Sequence, residues 1–513
     1  MERVKDFCLK VTKNRTFTYV VIMLFCLSLA CLSKNYDYDL YARLIVGQSF
    51  LEKGVINYRD FLSYTPTHLW YDHEWGASVF FYAFYKFFGA YGFILIQSLL
   101  MFGTAFFIMK TQEIQRNHYP ITLCFMVMFL LLFNHLNSNL VRCHMFSFMF
   151  FAMFLFILEK SRRFNSKLIW LLPFLVFLWN NIHGGVVSGL GLIVMYMAGA
   201  ILSGKPWMKY LGVLVISTPL LAINPYGADY YNFLFSANTK SRNYVVEWWG
   251  VFAGRHVTFY YPAFCTSLFV LLLSITKLFK RNIDITKFIV LFVTFTLGAI
   301  HVKLLSLVLI TLAALYYDVV IRIFNKPVVR FLEKFAYCIV VVSILAIPFT
   351  NPFVPKINFS KFPVKEVEFL KVNSLGGNVV TNFGTGSYVA YKLYPQNFIY
   401  MDGRYEEVYY DRELNVLAEF ERADDSWRNI YLDYPTDIIM ANRDLPVYAE
   451  LQKENGWREI YTGNLCGVFV KKERAKRYYI MPTDNLRYYQ KTAFDNMGKF
   501  DKKHFCDIKY LGS

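Results

Sequence analysis

The sequence predicts a polytopic α-helical membrane protein with a C-terminal α/β domain on the extracytoplasmic side. Three observations lead there. Of 513 residues, 56% are hydrophobic and only 18% are charged. The apolar residues are bunched into nearly uncharged runs, several of which approach the ~20 residues an apolar helix needs to cross a bilayer. After about residue 350 the composition changes: charges and glycine turns return, and no spanning run follows.

The first run, 17–32, follows a flank carrying Arg3, Lys5, Lys10, Lys13 and Arg15. Residues 33–36 lack a small-x-small cleavage pattern, so an uncleaved anchor with a cytoplasmic amino terminus is expected. Loop charge orients the rest. Eleven spans near 16–32, 90–109, 120–134, 143–158, 168–181, 184–202, 208–223, 259–279, 285–300, 304–320 and 335–350 put the basic connections 110–120, 160–167, 203–209, 280–284 and 322–334 in the cytoplasm. Segments 33–89, 135–142, 224–258 and 351–513 then face outward. The aromatic segment 75–88 is short and is expected to lie at, or dip into, the outer surface. Counting it as a crossing gives a twelve-span alternative that inverts every later loop.

The expected domains are a transmembrane part, 1–350, with a large outer loop at 33–89, then a small α/β domain at 351–475 and a basic tail at 476–513 with no structural assignment. Within the α/β domain, 378–381, 398–401 and 437–440 read as short buried strands, and 458–462 with 467–472 as a closing hairpin around Gly463-Asn464. Helices fit at 386–393, 406–421 and 446–454.

The net charge of +17 reflects Lys and Arg in short loops, where they set topology and favour anionic headgroups. No nucleic-acid partner is expected; membrane lipids are. None of the nine cysteines has metal-ligand spacing. Cys26, Cys124 and Cys338 fall in apolar runs and read as small buried hydrophobes; Cys466 and Cys506 lie in the terminal region, where a disulfide between them is possible but not the favoured reading.

Chemistry is sought first at Asp37 and Asp39, two carboxylates one residue apart where the first span ends. Carboxylates there are costly to desolvate and are normally paired, wet or functional. They could hold a divalent cation through oxygen ligands, or one could take a proton from an acceptor. The structural alternative is a helix amino cap, because Asp39 directly precedes LYARLIVGQSFLEKG. The loop beyond them is dense in sugar- and phosphate-binding groups: Asp60, then WYDHEW with His73 and Glu74. The tryptophans fit an interfacial aromatic belt equally well.

Further outward-facing groups sit at span ends: Arg142 and His144, then Asn181 and His183 in LWNNIHGG, Glu247 before two tryptophans, and His301 with Lys303. The eleven-span topology puts all of them on the side of Asp37 and Asp39. Singly, each also suits a helix end, where a side chain satisfies an orphan backbone group. Arg142 and Lys303 are the best candidates for holding a phosphate by charge-assisted hydrogen bonds.

In order along the chain, YDYDLYARLIVGQSFLEKGVINYRDFLSYT, WYDHEW, LWNNIHGG, INPYG and VVEWW resemble bacterial integral-membrane glycosyltransferases of the GT-C superfamily. That group includes protein O-mannosyltransferases, aminoarabinose transferases of lipid A, and oligosaccharyltransferases. Asp402-Gly403-Arg404 matches a DGR element in the soluble domain of uncharacterised members. The resemblance implies a GT-C fold and a polyprenyl-phosphate-linked sugar donor. It also implies a lipid, glycan or protein acceptor, and transfer at the outer face of the bacterial inner membrane. By position, Asp37 and Asp39 match the superfamily's acidic motif, with Asp39 as base or metal-linked residue. Mg²⁺ or Mn²⁺ is the one cofactor implied, and members differ in needing it. Arg142-Cys143-His144 stands where relatives often have Arg-Pro, and His301-Val302-Lys303 replaces a more usual Arg-containing stretch. Two other readings remain open. A transporter or flippase for lipid-linked sugars would need ionisable groups buried mid-span and broken helices paired in two halves, whereas here such groups cluster at span ends. A non-catalytic envelope-assembly protein is the other.

Overall fold

The computed structural model describes residues 15–32, 36–115, 123–137, 141–239, 245–279, 283–321, 325–350, 357–475 and Tyr478. The chain forms two compact units. One comprises Met1–Ser33 with Tyr91–Pro352, the other Lys34–Ala90 with Phe353–Ser513. The sequence expectation grouped 33–89 with the transmembrane part; by internal contacts this loop clusters with the C-terminal residues. The basic tail and Cys506 lie outside the described residues, apart from Tyr478.

The first unit is a helical bundle. Four of its helices are long and apolar enough to cross a membrane by length and composition: Tyr91–Gln115, His144–Phe164, Thr258–Thr276 and Pro327–Phe349. Seven shorter apolar helices, of 10–17 residues, accompany them among the described residues: Thr16–Leu32, Leu123–Leu136, Lys167–Ile182, Val186–Leu202, Met208–Leu220, Ile285–Ile300 and Val302–Leu315. Each of the eleven expected spans thus overlaps an apolar helix, though among the described residues only four reach spanning length unaided.

Leu305–Leu315 is buried at every position and packs on Tyr91–Gln115, His144–Phe164, Leu123–Leu136 and Ile285–Ile300. A helix apolar on all sides belongs at a bundle's centre. Lys326–Ala346 is the opposite case, with Phe331, Phe335, Val341, Val342 and Leu345 exposed. The basic stretch after residue 158 is anchored by the buried Glu159. Its carboxylate accepts from Arg162 Nε at 2.9 Å, Arg163 Nε at 2.5 Å and the Tyr196 hydroxyl at 3.2 Å. Arg162 also reaches Asp284 at 2.8 Å, and Asp284 caps Ile285–Ile300 through the Lys287 amide. These bonds join three helices at one end of the bundle.

The second unit is built on a five-stranded sheet: β1 (Gly377–Thr381), β2 (Asn397–Ile399), β3 (Ile438–Asn442), β4 (Trp457–Thr462) and β5 (Cys466–Lys471). Their order is β2-β1-β3-β5-β4. β1 runs parallel to β2 and β3, and β5 runs antiparallel to β3 and β4. All five expected strands are present. The expected helix 406–421 is two, Tyr405–Val408 and Asp411–Arg422, and Val364–Val372 is a helix the sequence reading lacked.

The β2 edge is covered by the loop from the chain's first hundred residues. Ser63 bridges Ile399 in parallel, with Tyr64 N to Ile399 O at 3.1 Å and Ile399 N to Leu62 O at 2.9 Å. An open edge is a template for unwanted pairing, and such a loop closes it. Two helices complete this region. Leu40–Lys53 packs along Trp75–Phe88, and Gly47 permits the approach, because a Cβ there would collide with the Ser78 carbonyl. The segment expected at the outer surface is therefore a 14-residue helix packed within this unit.

Candidate functional site

In the first unit, the break between Ile285–Ile300 and Leu305–Leu315 builds a polar pocket at the end of an apolar bundle. The chain turns extended at His301 (φ −133°, ψ 107°) and restarts through one 3-10 turn, Val302–Leu304. The segment around Glu247 is knitted onto this break. Val302 N donates to Trp249 O at 3.0 Å and Val251 N donates to Ala299 O at 2.9 Å. His301 Nδ1 lies 2.7 Å from Trp248 O, with its ring edge-on to the Trp248 indole.

Glu247 is thereby aimed at two cations. Its carboxylate accepts from Arg142 and lies 3.7 Å from Lys303 Nζ. The Lys303 ammonium also sits 5.3 Å from the centre of the Trp248 ring, within cation–π range. Leu136, Asn137, His144, Tyr260, Val302 and Ser306 complete the lining of a cleft with about 320 Å³ of empty space, open solvent at its mouth included. Burial raises the Glu247 carboxyl pKa, but Arg142 and Lys303 outweigh it and hold the group at about 2. Glu247 is therefore ionised across the physiological range.

Of the sequence candidates, Arg142, His144, Glu247 and Lys303 line this pocket, and His301 supports it. Asn181 and His183 belong to the same unit but not to the lining. The Asn181 amide donates to the Phe177 and Ile223 carbonyls, both at 2.9 Å. His183 Nδ1 accepts the Gly185 amide at 2.9 Å and lies 2.8 Å from Ser147 Oγ, which takes the Trp179 indole N–H at 2.7 Å. Both secure the helix break at LWNNIHGG. The sequence reading missed Asn137, Tyr260 and Ser306, whose only signal was their position at span ends.

In the second unit, Asp37 is 2% exposed and its Oδ1 accepts the Asp39 amide at 3.0 Å. Asp39 occupies the amino-cap position of Leu40–Lys53, but its side chain makes no capping hydrogen bond. It lies instead against Gly403: a Cβ at that glycine would overlap Asp39 Oδ1. The acidic pair and the DGR element thus meet within one unit, and the glycine between Asp402 and Arg404 leaves room for the carboxylate.

Asp60, His73 and Glu74 enter a buried ion-pair network. Arg404 binds Asp402 at 2.8 and 3.0 Å, Asp60 at 2.8 Å and the Tyr409 hydroxyl at 3.2 Å, and its guanidinium lies 4.7 Å from the centre of the Trp70 ring. Asp60 also accepts the Leu62 and Ser63 amides. Burial raises the Asp60 carboxyl pKa, but Arg404 reverses this and holds it below the ordinary value. Arg43 pairs with Asp72 at 2.5 Å, Glu407 at 3.2 Å and Glu74 at 3.4 Å. His73 Nδ1 lies 2.8 Å from Glu407, which also accepts the Trp70 indole N–H at 2.9 Å. These three candidates are held by protein partners, and substrate could engage them only by loosening those pairs. Arg43 and Glu407, central to the network, were not among the sequence candidates.

The fold is similar to that of an oligosaccharyltransferase from Archaeoglobus fulgidus, whose crystal structure contains an acceptor peptide with the NVT sequon tethered by a disulfide bond. The two share 10% sequence identity at a TM-score of 0.52, over 83% of this chain and 68% of that one. At that identity the likeness is one of fold. No protein-family model matches the sequence, and no curated protein matches it.

Proposed function

We propose that this chain is a membrane glycosyltransferase that moves a sugar from a polyprenyl-phosphate-linked donor to a lipid, glycan or protein acceptor at the outer face of the bacterial inner membrane. The observation that carries the reading is the pocket in which Arg142 and Lys303 converge at the end of an apolar bundle. The fold shared with an oligosaccharyltransferase is consistent with glycosyl transfer. A lipid-linked phosphate keeps its chain among apolar helices and presents its charge at their ends, where this pocket lies.

In the proposed reaction an acceptor oxygen or amide nitrogen attacks the anomeric carbon. The bond from that carbon to the phosphate oxygen breaks, and the phosphate leaves with the electron pair. Arg142 and Lys303 stabilise the charge that develops there. Asp39 takes the acceptor's proton as general base, and Asp37 orders the Asp39 backbone through the hydrogen bond described. A divalent cation, which the resemblance implies for some members, would be held by Asp39 and Asp37 and would supply positive charge there. Asp37 already commits one oxygen to the Asp39 amide, so the pair alone is an incomplete ligand set for such an ion.

Reconstituted protein supplied with radiolabelled polyprenyl-phosphate sugars should transfer label to acceptor. Arg142→Gln should slow transfer by at least ~100-fold, as removal of a transition-state charge contact does. Asp39→Asn should leave donor binding intact and lower turnover. Transfer by well-folded Asp39→Asn at the wild-type rate would remove Asp39 from the mechanism. Label that crosses the bilayer without being transferred would instead mark a flippase.

The eleven-span topology has its own measurement. Lys167 is exposed at the end of the basic 160–167 connection. A cysteine placed there by Lys167→Cys should react with an impermeant thiol reagent only from the cytoplasmic side, and labelling from outside overturns the assignment.

A further inference from the structure

We infer that Glu247 sets the charge of the pocket and so selects a sugar donor carried on a single phosphate over one carried on a diphosphate. This rests on the pocket being the donor phosphate site. With histidine counted as neutral at pH 7, the charged side chains of the lining are two cations, Arg142 and Lys303, and one carboxylate, Glu247. One positive charge remains. A sugar joined to a polyprenyl chain through one phosphate is a phosphodiester with one negative charge, and it neutralises this pocket. A diphosphate linkage carries two, and its second charge meets a carboxylate rather than a cation.

The selectivity depends on Glu247 staying in place. The backbone bonds from Trp249 to Val302 and from Val251 to Ala299 fix the segment on both sides of the helix break. Its carboxylate is 26% exposed and is shared between Arg142 and Lys303, so water screens it incompletely. A like charge about 5 Å away in such a partly buried setting alters binding by roughly tenfold or more. Glu247 thus acts as a fixed counter-anion. It lies against both cations and disfavours a second phosphate charge beside them.

The test uses the full-length protein in detergent with EDTA present, and two probes matched in sugar and lipid: decaprenyl phosphoglucose and decaprenyl diphosphoglucose. Wild type should bind the monophosphate probe more tightly. Glu247→Gln should shift the ratio toward the diphosphate probe by roughly tenfold, whereas Glu247→Asp, which keeps the charge, should leave it near wild type. Lys303→Gln should weaken both probes, the diphosphate more. Excess phosphatidylglycerol or inorganic phosphate should fail to displace bound probe, and displacement by either at that excess overturns the assignment to a donor lipid. If Arg142→Gln weakens both probes while folded Glu247→Gln leaves the ratio unchanged, the selectivity role is wrong and the phosphate site stands. If both variants bind as wild type does, the pocket is not the phosphate site and both readings fail.

Discussion

Replacing Arg404 by leucine is expected to destabilise the protein by about 3–5 kcal/mol, the cost of removing one partner from a buried ion pair. The guanidinium is 2% exposed and faces two carboxylates: Asp402, fully buried, and Asp60, through a 2.8 Å contact. Leucine fills part of the volume but leaves both anions without their cation. It also removes the cation stacked on Trp70. Because Asp60 comes from the loop after the first apolar run and Arg404 from the segment after β2, the change should loosen that loop first. The measurement is chemical unfolding of the purified protein, followed by proteolysis between residues 55 and 70. Substituting Asp60→Asn in the Arg404→Leu background removes one of the stranded charges and should recover part of the loss. A cost below about 1 kcal/mol would show that the network is hydrated in solution and contributes like a surface pair.

That network also marks where the sequence stopped being informative. The apolar helices were legible because their signal is local: a run of uncharged residues bounded by basic loops. The strands were legible for a similar reason, being short β-branched runs between turns. The convergence of Arg142, Glu247 and Lys303 was legible at one remove, since loop charge put all three on one side and span ends put them at one level. Asp60 and Arg404 are 344 residues apart, and Arg43 and Glu407 are 364 apart. No spacing rule links partners at such separations. Asp60, His73 and Glu74 therefore read as solvent-facing binding groups, whereas the structure pairs them inside the unit. Helix Trp75–Phe88 was ambiguous for a related reason. Its composition suits a membrane surface, and only the small contact residue at Gly47 reveals the helix it packs on.

Stability should fall as pH rises from about 6.5 to 9, and His73 should be the cause. Burial alone would lower the imidazole pKa, but Glu407 outweighs it by charge and by hydrogen bond, and Glu74 and Glu406 add to it, so the folded-state pKa is raised to about 9. A group whose folded pKa exceeds its unfolded value near 6.5 contributes stability that is complete below 6.5 and is lost as pH passes the folded value. Holding the proton to about pH 9 instead of 6.5 corresponds to about 3 kcal/mol. The imidazole is 17% exposed, so solvent screening removes little of that. The other titratable groups of the cluster do not mimic the effect. Burial, with Glu407 and Glu74 nearby, raises Asp72 to about 6 despite Arg43, so its contribution is already lost as pH rises through that value. Glu407 lies below its ordinary range, because Arg43 and His73 overcome its burial, and it titrates only in acid. Thermal midpoints at pH 6.5 and pH 9 should therefore differ clearly in wild type and much less in His73→Gln. The amide keeps a donor within reach of Glu407 but carries no charge at either pH. An unchanged pH dependence in the variant would mean that His73 is neutral in the folded protein, and that Arg43 alone balances the Asp72, Glu74 and Glu407 carboxylates.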